Sequence, residues 1–468
     1  MGLHSFDEKN KSSVVIINRE NYPSLSFLVS LLAGLGAKQV IFRLPSEEDQ
    51  LIKLTDLRAT IREIHDKYEE NLRIVLINFP ICAFPDFWDH IFWGKGALYE
   101  KSNACMICRH NDYCGGVSKN YRDKFGLSEL KSCPDIPREV MIEVEPRCNF
   151  NCKFCFNKLS FAKVGRDKIK PLSTEYLKEV IKKISEAGIP SIRFTGGEPL
   201  LRPDILEILK YAKSLNFSEV RLNTNASLID QNMARRLVQF VDNFLIPLES
   251  AIAREEDEVC GSQDIFDKKI KAVGYLKEAG ARIVRIGTVI SKEVINDLQN
   301  MEKLIESLSV DWWELYRPIP FGRDASQLEE NDIKTLAQKL SRLIGKRKKH
   351  YRIYHALPFC AISNLNLING ISDGAALDDG HTRFVIDPRG HAKPHYYIDE
   401  NIGDPRDPLA CWQHPFMKKM RNLEFLPKEC KNCIFRKKCR GGSRASAKII
   451  SGSYSASDPL ARFQNINH

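Results

Sequence analysis

Three cysteines in one short stretch of the chain are the residues best suited to chemistry. Cys148, Cys152 and Cys155 are separated by three and then two residues. Thiolates at this spacing can hold three corners of a cubane iron–sulfur cluster and leave one iron open to a small molecule. Structural zinc is the alternative, but zinc needs a fourth fixed ligand, and the next cysteine and histidine are Cys260 and His350. The ligand count therefore favours the cluster.

A glycine-rich motif, Phe194-Thr-Gly-Gly-Glu-Pro199, follows about forty residues later. The cysteine spacing, with Phe154 directly before the third cysteine, resembles the cluster loop of the radical S-adenosylmethionine (SAM) enzymes. The second motif resembles the turn that holds the methionine end of SAM in that family. A glycine–proline turn can also be a plain strand-to-helix corner, but this one follows the strand-like residues 191–195. The resemblance extends over residues 138–323.

The resemblance implies a reaction and its cofactors. Cys148, Cys152 and Cys155 would bind a 4Fe-4S cluster whose open iron chelates the amino and carboxylate groups of SAM. Electron transfer to SAM would give methionine and a 5′-deoxyadenosyl radical, which takes a hydrogen atom from the substrate. Such an enzyme also needs an electron donor such as ferredoxin or flavodoxin.

The resemblance also implies which residues contact SAM. They are Phe154, Gly196, Gly197, Glu198, Asn225 and Ser250. Phe154 would lie near the adenine, the glycines would let the backbone approach SAM closely, and Glu198 would accept from the ammonium group. Asn225 and Ser250 would bind the ribose and carboxylate, although each can equally cap the helix that follows it.

A second group of cysteines lies in the C-terminal region. Cys430, Cys433 and Cys439 form a Cys-x2-Cys-x5-Cys pattern, which is followed by two glycines and preceded by the Gly-x-x-x-Pro segment in residues 384–395. This layout resembles the SPASM extension of radical SAM enzymes, which carries auxiliary iron–sulfur clusters and appears in enzymes that modify peptides. The resemblance therefore implies an auxiliary cluster at these cysteines.

The C-terminal layout departs from the SPASM pattern at three positions. His395, Ser443 and Ala461 stand where cysteines are usual. Because three ligands are lost, we expect one auxiliary cluster here, with Cys360 or Cys411 as the fourth ligand or with an open iron. A zinc site is the alternative, since four thiolates also suit tetrahedral zinc.

The N-terminal region contains a similar set. Cys105, Cys108 and Cys114 repeat the Cys-x2-Cys-x5-Cys core and are also followed by glycines. Cys82 precedes them, as Cys360 precedes the C-terminal set. This internal similarity predicts a second auxiliary cluster, with Cys82 as the fourth ligand and Cys133 as the reserve.

The elements that would position these motifs alternate along the chain. Short apolar runs alternate with amphipathic stretches, a pattern that predicts a parallel α/β sheet. The predicted strands are 140–144, 191–195, 219–223, 243–247, 282–289 and 312–316. The predicted helices are 173–187, 204–215, 230–240, 266–278 and 296–307. Both motifs, Asn225 and Ser250 follow predicted strands, and the carboxyl ends of parallel strands are where chemistry collects.

These patterns predict an α/β fold with a partial (β/α)6 TIM-type barrel flanked by two smaller domains. Residues 13–18, 39–43 and 73–78 are predicted strands and residues 25–35 a helix, which indicates a small N-terminal α/β domain. The predicted domains are therefore 1–135 with the N-terminal cysteine set, 136–325 with the radical SAM barrel, and 326–468 as a SPASM-like auxiliary cluster domain.

Length and composition restrict the remaining classes. With 468 residues, 43% of them hydrophobic, the chain has the composition of a globular protein. Its start is too polar for a signal peptide, and the apolar residues 25–42 are too interrupted to span a bilayer. Fourteen cysteines without an export signal predict metal or catalytic thiols in the cytoplasm. The net charge of +10 permits nucleic acid binding but does not indicate it.

Together these features predict a radical SAM oxidoreductase or maturase that modifies a peptide or protein side chain. The peptide substrate depends on the SPASM-like layout, and cofactor or small-metabolite biosynthesis and tRNA modification are alternatives within the family. A noncatalytic iron–sulfur or zinc scaffold is an alternative from another class. The intact glycine-rich turn argues against a scaffold, because a scaffold has no need to hold SAM.

Overall fold

The computed structural model describes residues 3–7, 11–68, 72–84, 91–92, 99–108, 110–111, 114–155, 165, 168–319, 328–344, 350–354, 356–362, 372, 374–375, 380–433 and 435–463. The chain divides into two compact units, Met1–Asp135 and Ile136–His468. Residues 326–468 lie within the second unit, and their separation as a domain stays a prediction.

The N-terminal unit is an α/β structure. Its described strands are β1 (Leu3–Asp7), β2 (Ser12–Ile16), β3 (Gln39–Arg43), β4 (Arg73–Ile77), β5 (Ile91–Phe92), β6 (Tyr99–Glu100) and β7 (Val117–Ser118). Its described helices are α1 (Leu25–Gly34), α2 (Leu54–Tyr68) and α3 (Lys119–Phe125). The first five strands form a sheet in sequence order, in which β1 is antiparallel to β2 and the other neighbours are parallel. The small β6-β7 pair is separate.

Helices α1 and α2 exist because their apolar residues recur every three or four positions. The buried residues of the two helices are Leu25, Val29, Leu32, Leu54, Leu57, Ile61 and Ile64. This spacing places them on one side of each helix, where they join the core formed with the sheet. The helices thereby return the chain between parallel strands.

The C-terminal unit contains a larger sheet. Its described strands are β8 (Glu139–Glu145), β9 (Ser191–Gly196), β10 (Glu219–Asn223), β11 (Asn243–Pro247), β12 (Ile283–Val289), β13 (Trp312–Tyr316), β14 (His350–Ile353), β15 (Arg383–Ile386) and β16 (Ala392–Lys393). Their order is β14-β13-β12-β11-β10-β9-β8-β15-β16, and each neighbouring pair is parallel except β15-β16.

Helices connect these strands in sequence. The described helices are α4 (Thr174–Glu186), α5 (Ile205–Lys213), α6 (Gln231–Leu237), α7 (Ala253–Cys260), α8 (Ile265–Glu278), α9 (Lys292–Asn296), α10 (Leu298–Ser307), α11 (Glu330–Ile344), α12 (Pro408–Gln413), α13 (Pro415–Arg421), α14 (Arg436–Cys439) and α15 (Arg444–Ser451). In the part of the chain that the structure describes, none of the helices has both the length and the apolar character that crossing a bilayer requires.

The predicted α/β fold with parallel strands is confirmed. Each of the six predicted barrel strands is present with ends that differ by one residue or less, and β14 and β15 extend the sheet on its two sides. Helix α4 shows why the prediction worked, because Ser173 caps it by accepting from the N–H of Tyr176, and its buried residues recur at helical spacing. Helix α7 was not predicted, since only Glu256 and Cys260 of its eight residues are buried.

Candidate functional site

The loop that carries the three cysteines begins directly after β8. Cys148, Cys152 and Cys155 are each partly buried. The loop backbone is bound to the carboxyl end of α7, because the N–H of Asn151 donates to the Cys260 carbonyl over 3.0 Å and that of Lys153 to the Val259 carbonyl, also over 3.0 Å. The unpredicted helix α7 therefore holds the cysteine loop in place.

The glycine-rich turn lies against the start of the same loop. The N–H of Gly197 donates to the Glu145 carbonyl over 2.6 Å, and the N–H of Glu198 donates to the Arg147 carbonyl over 2.8 Å. A Cβ on Gly196 would lie 2.4 Å from the Glu145 carbonyl oxygen, and one on Gly197 would lie 2.0 Å from that of Arg147. The two glycines thus let the backbone approach the cysteine loop, a role additional to the predicted approach to SAM.

Glu198 is fully buried at the end of β9. Its Oε1 accepts from the Thr224 hydroxyl over 2.7 Å and from the N–H of Leu200 over 3.0 Å, while Oε2 accepts from the N–H of Asn225 over 2.7 Å. Burial raises the pKa of this carboxyl to about 6, against the lowering effect of these donors. Because a carboxylate oxygen can accept two hydrogen bonds, Oε2 can take one further donor, such as an ammonium group.

Asn225 lies at the cysteine loop. Its Nδ2 donates to Asn149 Oδ1 over 2.8 Å and lies 3.8 Å from Cys148 Sγ. Its Oδ1 accepts from both the N–H and the hydroxyl of Ser227. The next helix, α6, is capped instead by Asp230. Asn225 therefore connects the end of β10 to the cysteine loop, and its predicted contact with SAM stays a prediction.

Ser250 and Phe154 occupy the other predicted SAM positions. The Ser250 hydroxyl donates to Glu255 Oε2 over 2.7 Å and accepts from the N–H of Ile252 over 3.0 Å, so it closes the turn that leads into α7. The Phe154 side chain is exposed on the cysteine loop. Their roles toward the ribose and the adenine stay predictions.

A buried charged network lies behind the cysteine loop. Lys269 on α8 contacts Glu256 Oε1 at 2.5 Å and Cys260 Sγ at 3.3 Å. The other oxygen of Glu256 accepts from the N–H groups of Glu249 and Ser250, at the end of β11. The network therefore joins β11, α7 and α8 beneath the loop. The sequence hardly indicates this network, because the only pattern is that Glu256 and Cys260 lie four residues apart and so share one side of α7.

The C-terminal cysteines come together around one small cavity. The cysteines that line it are Cys360, Cys430, Cys433 and Cys439. Ala461, which stands where a cysteine is usual in the SPASM pattern, also lines this cavity. Cys411 does not line it, and its thiol donates to the Asp404 carbonyl over 3.1 Å instead. Of the two candidates for the fourth ligand, the structure thus brings Cys360 to the other three.

The N-terminal cysteines also surround a small cavity. Those that line it are Cys82, Cys105, Cys108 and Cys114. Cys133 does not line this cavity, and its N–H donates to Cys108 Sγ over 3.4 Å. Cys133 therefore contributes a backbone N–H group beside the cavity, while Cys82 is the fourth thiol that lines it.

The donor sets fit iron–sulfur clusters. Four thiols line each flanking cavity, together with Glu429 in the C-terminal one and His110 in the N-terminal one. Cysteine thiolates around a cavity are what a cluster of several irons needs. The triad after β8 is all-thiol and offers three ligands.

The inner faces of the barrel strands carry buried charges that the sequence analysis did not identify. Arg193 on β9 contacts Glu139 on β8 over 2.9 Å, and Arg285 on β12 pairs with Glu314 on β13. These charged residues alternate along each strand with the apolar residues that pack against the helices. This alternation with a period of two was the sequence signal that could have identified them. The lumen of the barrel is consequently polar.

Glu143 on β8 is another of these lumen residues. It is fully buried, and within the described residues its Oε2 has no hydrogen-bond partner. Burial raises the pKa of this carboxyl to about 8; Lys393 and Arg389 lower it, and Asp387 raises it further. The folded protein therefore holds a proton on Glu143 at neutral pH.

Replacing Glu143 by glutamine should stabilise the protein at alkaline pH. Because the folded pKa is raised from 4.5 to about 8, the wild type loses stability as pH rises through that window, whereas glutamine does not ionise. The variant should nearly match the wild type at pH 4.5 and exceed it by up to about 4 kcal/mol at pH 8. Anaerobic urea unfolding at several pH values measures this, with the exposed Glu258→Gln variant as the control. Parallel profiles for E143Q and wild type would contradict the expectation.

Comparisons with known proteins place this site in a family context. The family model described as the radical SAM superfamily matches residues 142–305. The AdoMet-dependent heme synthase of Oleidesulfovibrio alaskensis is 27% identical over 70% of this chain and 87% of its own. The probable GTP 3′,8-cyclase of Sulfurisphaera tokodaii is 31% identical over 49% of this chain and 70% of its own.

Two further similarities involve proteins whose names mention peptides. The PqqA peptide cyclase of Granulibacter bethesdensis is 22% identical over 71% of this chain and 89% of its own. The structure of Streptococcus suis SuiB bound to its precursor peptide SuiA has a TM-score of 0.58 and 15% identity, covering 88% of this chain and 93% of SuiB. At this identity, the similarity to SuiB shows a shared fold.

Proposed function

The chain belongs to the radical SAM superfamily of enzymes, and we propose that it modifies a side chain of a peptide or protein. The observation that carries this proposal is the C-terminal cavity lined by Cys360, Cys430, Cys433 and Cys439. It lies in the region that resembles the SPASM extension, which appears in enzymes that modify peptides. The similarities to the PqqA peptide cyclase and to SuiB support the same substrate class.

The residues at the ends of β8 and β9 would form the SAM site. Cys148, Cys152 and Cys155 would hold a 4Fe-4S cluster, which, when bound, supplies the electron that cleaves SAM. Glu198 is positioned by its three protein donors to offer Oε2 to the ammonium group of SAM. Asn225 keeps the cysteine loop beside the end of β10.

The C-terminal cysteines would hold an auxiliary cluster. Because Cys360 joins Cys430, Cys433 and Cys439 around the cavity, every iron of a cubane cluster could have a cysteine ligand. A cluster ligated in this way suits removal of the electron left on an oxidised substrate better than direct binding of the substrate. This supports an oxidoreductase in which SAM is consumed.

The proposal includes an electron donor and a compartment. A ferredoxin or flavodoxin would supply electrons, since the reaction needs a low-potential donor. The described residues include all fourteen cysteines, and none of these forms a disulfide bond. Reduced thiols and iron–sulfur clusters both require a reducing environment, which supports a cytoplasmic location.

A second candidate function is a step in cofactor biosynthesis. It is favoured by the similarity to the AdoMet-dependent heme synthase, which is 27% identical over 70% of this chain. The two candidates differ in substrate and share the SAM chemistry.

The test uses anaerobically reconstituted protein with dithionite and SAM. The expected product is 5′-deoxyadenosine, and its yield should rise when the correct peptide is added. Short cysteine- or glycine-rich peptides encoded beside the gene are the first substrates to try, with mass spectrometry to detect a change in mass. Replacing Cys148, Cys152 and Cys155 by alanine should abolish the product. If the wild type neither binds SAM nor forms 5′-deoxyadenosine, the noncatalytic scaffold is the better interpretation.

A further inference from the structure

The two four-cysteine sites begin with the same local structure. In the N-terminal unit, Pro80 precedes a 3-10 turn, Ile81–Ala83, and in the C-terminal unit Pro358 precedes the turn Phe359–Ala361. Both segments have the sequence Pro-x-Cys-Ala, and both prolines are extended, with ψ angles of 130° and 132°. Each cysteine, Cys82 or Cys360, thus lies in the middle of a 3-10 turn that an extended proline precedes.

The Cys-x2-Cys-x5-Cys segments repeat each other's backbone hydrogen bonds. In each segment, four backbone N–H groups donate to carbonyl groups earlier in the chain. The first cysteine, the second cysteine and the residue three after the second cysteine each donate to the residue three positions before them. The third cysteine donates to the residue four positions before it. With the donor named first, the bonds of the N-terminal segment are Cys105–Ser102 2.9 Å, Cys108–Cys105 3.1 Å, Asn111–Cys108 3.0 Å and Cys114–His110 2.7 Å. Those of the C-terminal segment are Cys430–Pro427 3.0 Å, Cys433–Cys430 3.2 Å, Arg436–Cys433 3.1 Å and Cys439–Phe435 2.8 Å. The described parts of the two segments therefore share this hydrogen-bond pattern.

The turn and the segment also meet in the same way in the two units. Cys439 Sγ accepts from the N–H of Phe359 over 3.4 Å, and the thiol of Cys114 accepts from the backbone of Ile81. Phe359 and Ile81 are the equivalent residues of the two turns, since each directly precedes the cysteine. Backbone N–H groups aimed at sulfur stabilise a thiolate, the form that binds metal.

The similarity continues into the preceding elements. In the N-terminal unit, β2, β3 and β4 are parallel neighbours joined by α1 and α2, and the Pro-x-Cys-Ala turn follows β4. In the C-terminal unit, β12, β13 and β14 are parallel neighbours joined by helices, and the equivalent turn follows β14. The helix before the last strand, α2 or α11, has 15 residues in both. A coincidental group of cysteines would not share its neighbouring elements in this way.

We infer that the N-terminal unit is a second copy of the end of the barrel, and that Cys82, Cys105, Cys108 and Cys114 bind an iron–sulfur cluster of the same type as the C-terminal site. This inference rests on the proposed function for the kind of metal group. Cys82 takes the position of Cys360, so the cluster has four cysteine ligands and no iron open to substrate. Lys101 and Lys131 also line the cavity, and their positive charge would offset the negative charge of a thiolate-bound cluster.

Counting iron in the full chain tests the inference. The wild type should contain about twelve irons and twelve sulfides per chain, four of each per cubane cluster. The variant with alanine at 148, 152 and 155 should keep roughly eight irons. Adding Cys105→Ala and Cys108→Ala to that variant should lower the count to about four, and the matched pair Cys430→Ala and Cys433→Ala should do the same. Circular dichroism shows whether each variant is folded.

A second measurement identifies the fourth ligand. The test uses the variant with alanine at 148, 152 and 155, which lacks the open iron of the SAM cluster. Adding Cys82→Ala to it should give the N-terminal cluster an open iron, so cyanide should shift its electron paramagnetic resonance signal, whereas adding Cys133→Ala should leave that signal insensitive to cyanide. Zinc in place of iron at this site, or about eight irons in wild type, would overturn the inference even in folded protein that forms 5′-deoxyadenosine. The iron count does not depend on turnover, so it separates this inference from the proposed function.

Discussion

Replacing Gly197 by alanine is expected to abolish 5′-deoxyadenosine formation and to remove about four irons per chain, the content of one cubane cluster. A Cβ at this position would lie 2.0 Å from the carbonyl oxygen of Arg147 and 2.8 Å from that of Pro146. Both obstacles are backbone atoms, so the start of the cysteine loop must move. Since Cys148 directly follows Arg147, the triad would lose the geometry that a cluster needs.

The control for this variant is Gly274→Ala. Gly274 lies within α8, and a Cβ there would meet no atom within 4 Å, so alanine should keep the iron and the activity and stabilise the helix slightly. Iron, sulfide and 5′-deoxyadenosine should be measured in both variants after the same anaerobic reconstitution. A G197A protein with the full iron content and wild-type SAM cleavage would show that the glycine turn does not position the cysteine loop.

Replacing Asp458 by alanine is expected to lower the free energy of unfolding by about 3–5 kcal/mol, the cost of leaving a buried charge unpaired. Asp458 accepts from Arg317 Nη1 over 2.7 Å and Nη2 over 2.9 Å, and the two side chains are almost fully buried. The N–H groups of Ser443 and Leu460 also donate to this carboxylate. The variant would leave the buried Arg317 guanidinium without its carboxylate partner, with the Ala356 carbonyl still accepting from Nη1, and would remove the acceptor of both N–H groups.

The same substitution should affect the C-terminal cluster selectively. Leu460 precedes Ala461, which lines the cysteine cavity, and Ser443 follows the two glycines after Cys439. Iron analysis should therefore show loss of up to about four irons while the SAM cluster remains. Anaerobic urea unfolding measures the stability. The control is Glu258→Ala, which breaks an exposed ion pair with Arg254 and should cost no more than about 0.5 kcal/mol. Equal stabilities for the two variants would refute the importance of the buried pair.

Much of the candidate site could be predicted because its signals are local. Cys148, Cys152 and Cys155 lie within one loop, so their spacing alone limits the metal groups that they can hold. The barrel strands were predictable for a related reason, since short apolar runs between amphipathic helices have few other uses in a globular protein. The carboxyl ends of these strands then indicated one shared site.

The supports of that site were not predictable, because they join residues far apart in the sequence. Glu198 is held by donors from the end of β10, and the cysteine loop by the carbonyl groups at the end of α7. Helix α7 is highly charged, and its buried residues, Glu256 and Cys260, matter through Lys269 on another helix. No periodicity in a single segment reveals such a network.

The cysteine ligands illustrate the same division. The sequence by itself determined the radical SAM motifs, the alternation of strands and helices, and the two Cys-x2-Cys-x5-Cys sets, because each depends on residues close together along the chain. Only the tertiary structure shows that Cys360 and not Cys411 lines the C-terminal cavity, and that Cys82 and not Cys133 lines the N-terminal one, and their roles as ligands stay predictions. Cys360 and Cys82 reach their partners because each follows a strand whose place in a sheet is set by pairing with a distant strand, β13 or β3. Sheet order depends on all the strands together, and local spacing does not encode it.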